Sequence, residues 1–309
     1  MLGVDTIVRA RPPKTHWREA PAPLAFADMQ PIFRQGTPID PARQPRDSSE
    51  ALAWLDAGND RFSRLATSAR QSDTGVQASF VLEGDFGVGA PLERQHHPHP
   101  FGIVLGCADA TLPIEVVFGR TADDLFVVKL AGNTIGSDAL ASVEYAVDRF
   151  PTIQVAVVLG HTLCGAVAAA VETFLKRRHF GELLSSLPHR SLIDRIQVSA
   201  RAASAALQEV YGLPIADAPG YGGAMLDLAV FLNAAYVAYC LQAALPPETA
   251  SRVAVVYGVY DLATGRVCGG ANAPTPFATS PDDAEGFRSL ARTLAGSVRI
   301  RKLLQDLHN

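Results

Sequence analysis

Two short apolar runs, each halted by a glycine and followed at once by polar, chemically reactive side chains, set the strongest limit on this chain. Phe101 to Leu105 runs into Gly106-Cys107-Ala108-Asp109-Ala110-Thr111, and Ile153 to Leu159 runs into Gly160-His161-Thr162-Leu163-Cys164-Gly165. An apolar run of this length bounded by glycine reads as a strand buried on both faces, as in a parallel sheet. Ligands of open α/β sheets bind at the carboxyl ends of such strands. Bringing the two strand ends together would gather two thiols, one imidazole and one carboxylate.

The remaining sequence supplies the parts of an α/β domain. Leu125 to Leu130 and Arg252 to Tyr260 read as further strands, with Val267-Cys268 pairing back as a hairpin after the turn at Asp261 to Gly265. Helices are expected at Ser137 to Arg149, Ala166 to Arg178, Ser191 to Val210 and Ala224 to Leu245. Leu140, Val143, Tyr145 and Val147 are the expected packing face of the first of these. Ser48 opens an earlier helix in which Leu52, Leu55, Asn59, Phe62 and Leu65 recur at helical spacing, with Trp54 beside them. A last helix is expected from Ser280, as N-cap, and Pro281, through Leu307. The fold class is therefore α/β, a central mainly parallel β-sheet flanked by helices. Its domain boundaries are read as 1-47, a Pro- and Arg-rich extended arm; 48-270, the sheet domain; and 271-309, a C-terminal helical extension.

Composition narrows the function. The chain has 309 residues, a formal net charge of -4 and 19% charged residues, which gives no electrostatic case for nucleic acid or an anionic membrane surface. Ala224 to Leu245 is interrupted by Asp227, Asn233 and Gln242 and reads as a buried helix, so no membrane partner is expected. The first residues show no basic-then-apolar signal pattern. Four cysteines in a chain this long are no disulfide framework, and a reducing, cytoplasmic setting is expected. Cys240 and Cys268 read as inert core thiols.

Zinc favours sulfur and imidazole donors, and a catalytic zinc keeps one position open. Cys107, His161 and Cys164 meet that description, with donors drawn from separate strand ends; two buried cysteines and a helix-capping histidine fit the spacing as well. His96, His97 and His99 form a second histidine cluster, but the adjoining prolines splay their side chains, and a solvated loop is expected.

The sequence resembles the β-class carbonic anhydrases. Cys107-Ala108-Asp109-Ala110-Thr111 is similar to that family's Cys-x-Asp-x-Arg motif, and His161-Thr162-Leu163-Cys164 to its His-x-x-Cys motif. Leu55 to Phe62, Asp124 to Asn133, Ala141 to Val147 and Val259-Tyr260-Asp261 with Thr264-Gly265 extend the likeness across roughly residues 48 to 270. The resemblance implies a dimeric unit or higher homo-oligomer, Zn2+ held by Cys107, His161 and Cys164, and Asp109 as the catalytic carboxylate. It implies reversible hydration of CO2 to bicarbonate by a zinc-bound hydroxide. Gln95 sits roughly where the family often has a substrate-pocket glutamine.

One residue departs from the pattern. The family's arginine pairs with the motif aspartate and keeps it off the metal; this chain has Thr111. Asp109 is then a possible fourth ligand that would close the site, unless Thr111 hydrogen-bonds it or Arg120 reaches in; Lys129 is not expected to substitute. Three activities are compatible: a carbonic anhydrase with an altered Asp109 gate, a zinc-binding homologue without hydration activity in a regulatory or assembly role, and a hydrolase of carbonyl sulfide or carbon disulfide.

Overall fold

A computed structural model describes residues 44–71, 98–121, 123–175, 187–270 and 275–305. All belong to the compact unit Gly36–Asn309. Most of the expected arm at 1-47, the loop with Gln95, His96 and His97, and Leu307 lie outside the described residues.

Five strands form one sheet in the order β2-β1-β3-β4-β5. They are β1 (Gly102–Gly106), β2 (Leu125–Lys129), β3 (Val155–His161), β4 (Ala254–Tyr260) and β5 (Val267–Cys268). The first four pair in parallel and β5 returns antiparallel to β4. Every residue of β1 and β3 is buried, the pattern of strands covered on both faces. From β1 the chain steps to β2 on one side, then crosses back to place β3 on the other. That reversal makes the crevice between the carboxyl ends of β1 and β3 the switch point where α/β sheets bind ligands.

Around the sheet lie α1 (Ser48–Gln71), α2 (Ile114–Phe118), α3 (Ser137–Arg149), α4 (Gly165–Leu175), α5 (Leu187–Tyr211) and α6 (Tyr221–Ala244). They are followed by α7 (Pro247–Ala250), α8 (Ala284–Ala295) and α9 (Val298–Gln305). Helix α6 is long and apolar enough to cross a membrane, yet 78% of its most apolar window is buried inside the protein. It packs on β3, β4 and α5, as a largely apolar helix must if its surface is to be kept from water.

Four expectations need correction. Strand β3 does not stop at the glycine but runs to His161, because its partner β4 continues pairing through Gly160↔Val259 and His161↔Tyr260 beyond the last pair with β1. The last helix begins after Asp283 and not at Ser280-Pro281: the Asp283 carboxylate accepts the Gly286 N–H at 2.8 Å and so caps α8. This segment is two helices, the second capped by Ser297, whose Oγ accepts the Ile300 N–H at 3.2 Å. Leu65 and Tyr145, expected to pack inward, are 56% and 59% exposed.

Helix α1 is fastened by buried polar side chains: the Ser63 hydroxyl donates to the Thr264 carbonyl at 2.8 Å, and Asn59 makes three further bonds. Asn59 donates from Nδ2 to the carbonyls of Gly265 (2.9 Å) and Val117 (3.3 Å), and its Oδ1 accepts the Val267 N–H (2.9 Å). It thus joins α1 to α2 and to the β5 hairpin. Beside it, a Cβ on Gly58 would lie 1.7 Å from the Phe118 carbonyl oxygen, so only glycine permits this approach of α1 to α2. Asn59→Leu deprives a buried N–H and two buried carbonyls of this partner and is expected to lower unfolding free energy by about 2–4 kcal/mol. Urea denaturation checks this; a midpoint equal to wild type would contradict it.

Candidate metal centre

Residue Cys107 follows the last residue of β1, where the Ala131–Asn133 turn crosses above it. Its Sγ accepts backbone N–H groups from Gly132 (3.3 Å) and Asp109 (3.5 Å). Gly132 has φ +65°, and a Cβ there would sit 2.8 Å from Ile196 Cδ1. Asn233, on α6 and buried, donates to the Gly132 carbonyl at 2.9 Å and fixes the turn that presents this N–H.

His161 ends β3. Its Nδ1–H donates to the Thr162 carbonyl at 3.0 Å, which assigns the proton to Nδ1 and leaves the Nε2 lone pair inward. Nε2 is buried and makes no hydrogen bond in the structure. Leu163 takes a left-handed conformation, φ 59°, with its side chain 73% exposed, and this sharp turn sends Cys164 back under the imidazole. Cys164 stands at the amino end of α4, its carbonyl accepting from Ala168 at 2.8 Å, and the N–H groups of Ala166 and Val167 favour its thiolate.

The two sulfurs are 3.9 Å apart, and one donor atom from each of Cys107, His161 and Cys164 lies within 4.8 Å of the others, all buried. Cys107 is driven well below the ordinary thiol range by the Cys164 hydrogen bond, against its own burial, with further help from His161 and the Asp109 and Gly132 N–H groups. Cys164 is pushed up by that Cys107 thiolate and by burial. Burial opposes charging of His161, but the neighbouring thiolate outweighs it and the imidazole is raised. Without a metal, then, the pair holds one thiolate and one proton. A divalent cation bound by these three residues would displace that proton and would supply a partner for the buried Nε2. Two sulfurs and one imidazole are a common zinc donor set with one position left over, so these residues fit zinc.

Asp109 lies at the rim, not among the three donors. Its Oδ1 accepts both the Thr111 N–H and the Thr111 hydroxyl, each at 2.8 Å. These two bonds hold its carboxyl below the usual range, with smaller contributions from His161 and Lys129. Lys129 Nζ donates to the Leu112 carbonyl at 2.9 Å. Arg120 does not reach in. Its guanidinium donates to the Trp54 carbonyl (3.0 Å) and lies over the rings of Trp54 (5.3 Å) and Phe101 (5.8 Å), at the opposite end of β1. Cys240 and Cys268 are half-buried, and burial raises both thiols. His99 is exposed, and its carbonyl accepts from Gln44 at 2.9 Å. A cavity of about 580 Å³ between α5, α6 and α8 contains none of the three donors.

Gly132, Asn233 and Thr162 are the supporting residues that sequence reasoning missed. Asn233 carried a signal, an amide among apolar residues in the middle of a helix.

Fold and site together define a buried three-donor cluster that could hold a metal ion, at the switch point of a mainly parallel α/β sheet. The carbonic anhydrase family model matches residues 102–267, more than half of the chain, and the chain belongs to the β-class carbonic anhydrase family. It is 44% identical over 72 residues to carbonic anhydrase 2 of Mycobacterium tuberculosis, 23% of this chain and 34% of that protein. It is 36% identical over 155 residues to the carbonic anhydrase of Mycolicibacterium smegmatis, 50% of this chain and 66% of that protein. The matches thus span about a third and just under two thirds of those relatives. Among solved structures it is similar to the Coccomyxa β-carbonic anhydrase in complex with acetazolamide, with TM-score 0.44, 22% identity, and 57% and 73% of the two chains covered. A tetrameric β-carbonic anhydrase of Sordaria macrospora matches with TM-score 0.41, 18% identity, and 55% and 80% covered.

The shared proton makes a prediction in the metal-free protein. A depressed thiol is ionised throughout the interval between its lowered value and the ordinary thiol range, and is lost only as pH falls through the lowered value. Thiolate absorbance near 240 nm should therefore report about one thiolate per chain at pH 6, abolished in Cys107→Ser. No absorbance until the pH nears the ordinary thiol range would contradict it.

Proposed function

We propose that this protein is a zinc-dependent carbonic anhydrase interconverting CO2 and bicarbonate. The observation that carries the reading is the buried Cys107–His161–Cys164 cluster with its unpartnered Nε2, in a chain of this family. Zn2+ bound there would act as a Lewis acid that makes a water nucleophilic near neutral pH. Two thiolates balance the charge of the cation, and Nδ1–H to Thr162 holds the imidazole in the ligating tautomer.

Thr111 takes the place of a cationic partner for Asp109. A carboxylate next to a three-donor site is the natural competitor for its open position. With Oδ1 engaged twice by Thr111, Asp109 is held at the rim and keeps Oδ2 free to accept a proton or orient a reactant. A neutral hydroxyl plus a backbone N–H thus does the holding that a guanidinium would do by charge, which supports turnover over a closed, silent site.

Assembly and location complete the proposal. Edge strand β2 carries Phe126, which packs against Phe150 (6.2 Å) and the exposed Tyr145 (6.4 Å). This aromatic edge supports a homodimer or larger assembly. The need to keep two thiols reduced supports a cytoplasmic setting.

Zinc-loaded protein should accelerate CO2 hydration in a stopped-flow indicator assay and lose that activity on chelation. No acceleration at one zinc per chain would overturn the reading. Hydrogen bonds to charged groups contribute about 1.5–3 kcal/mol, so Thr111→Val, which removes one of the two holding Asp109, should lower the rate at least about tenfold with zinc content unchanged. Wild-type rates in that variant would contradict the role given to Thr111.

A further inference from the structure

The C-terminal helices α8 and α9 lie beyond residues 102–267, the span that matches the family, yet α9 is tied to the metal edge. Arg299, in its first turn, donates from Nε and Nη2 to the two carboxylate oxygens of Asp227, both at 2.7 Å, and from Nη1 to Asp261 Oδ2 at 3.2 Å. Asp227 belongs to the buried helix α6. Asp261 directly follows Tyr260, the residue of β4 paired with His161. The side chains of Arg299, Asp227 and Asp261 are 33%, 11% and 13% exposed. Two largely buried carboxylates therefore share one guanidinium, in a fork that lysine cannot reproduce.

From Asp261 the connection continues to the imidazole. The Leu262 N–H donates to Thr162 Oγ1 at 3.0 Å, and the Thr162 N–H to the Tyr260 carbonyl at 2.9 Å. The Thr162 carbonyl then accepts from His161 Nδ1 at 3.0 Å. Within the turn, the Asp261 N–H donates to the Arg266 carbonyl at 2.8 Å and Asp261 Oδ1 accepts from Ala263 at 2.9 Å. The turn is thus stiff enough to carry a displacement of Asp261 to Leu262.

We propose that Arg299 is a positioning residue for the metal centre: by holding Asp261 against Asp227 it sets, through Leu262 and Thr162, the orientation of His161. The inference rests on the reading of Cys107, His161 and Cys164 as a zinc site. Without the guanidinium the two carboxylates face each other uncompensated in a region of low solvent access, and they separate. Asp227 is fixed within a long buried helix. Asp261 sits on a short turn and is the one that moves, drawing Leu262 N–H away from Thr162 and releasing the carbonyl that anchors the ring. Groups that orient a metal ligand from behind typically affect metal affinity 10- to 100-fold. Arg299 acts through three intervening residues, Asp261, Leu262 and Thr162, and the lower end is expected.

The test is zinc affinity by competition with a chromophoric chelator, in wild type, Arg299→Met, Thr162→Val and the double variant, with folding checked by circular dichroism. Arg299→Met should weaken zinc about tenfold and alter the cobalt-substituted visible spectrum. Arg299→Lys, which keeps the charge and tolerates the site, should weaken it about threefold. In the Thr162→Val background, where the link is already cut, Arg299→Met should change affinity by less than about twofold. Unchanged affinity and cobalt spectrum in Arg299→Met and Arg299→Lys would overturn the proposal, as would full multiplication of the two single effects, which marks a general loss of stability. If Arg299→Met fails to fold, Arg299→Lys decides: wild-type affinity there also overturns it. Absence of zinc binding by the wild type would instead remove the underlying site, an outcome distinct from a wild type that binds zinc regardless of Arg299.

Discussion

The parallel pairing of β1 with β3 is the constraint on which the site depends. Its register, from Gly102↔Val155 to Gly106↔Leu159, ends one residue short of Cys107 and two short of His161. Thiol and imidazole therefore leave the sheet at the same edge. Both strands are buried over their whole length, so a slip of one residue would invert every side chain in the centre of the core. The core of Ile103, Leu105, Val157 and Leu159 thus fixes the distance between the donors before any ligand binds. This differs from a zinc finger, where the metal itself creates the fold.

Burying two thiols and an imidazole is costly unless each polar atom is answered. The structure answers most of them from the backbone. Gly132 and Asp109 give N–H groups to Cys107, the amino end of α4 faces Cys164, and Thr162 accepts from the imidazole. Nε2 of His161 is the exception. Asn233 holds the Gly132 turn, and Thr162 is itself fixed by Leu262 and Tyr260, so residues that carry none of the donors support the cluster.

The donors were legible because strand, glycine and reactive side chain follow one another directly in sequence. What surrounds them was less so. The two extra residues of β3 depend on pairing with β4, nearly a hundred positions away in the chain, which no local pattern reveals. Ser280-Pro281 has the composition of a helix start, but the Asp283 carboxylate offers the α8 N–H groups a charged acceptor and prevails. Arg120 has the length to approach Asp109, yet Trp54 and Phe101 provide a ring face for its guanidinium. The hold of Thr111 on Asp109 was partly readable. An aspartate accepting from the N–H two residues on is a common turn, and it needs no arginine.

The central claim is that Cys107, His161 and Cys164 hold one zinc and that Thr111 keeps Asp109 from occupying the remaining position. X-ray absorption at the zinc edge of the loaded protein tests both parts at once. The account predicts two sulfur donors, one imidazole and one light ligand that exchanges for added azide. A spectrum with a carboxylate in the fourth place and no response to azide, or a protein that takes up no zinc, would contradict it.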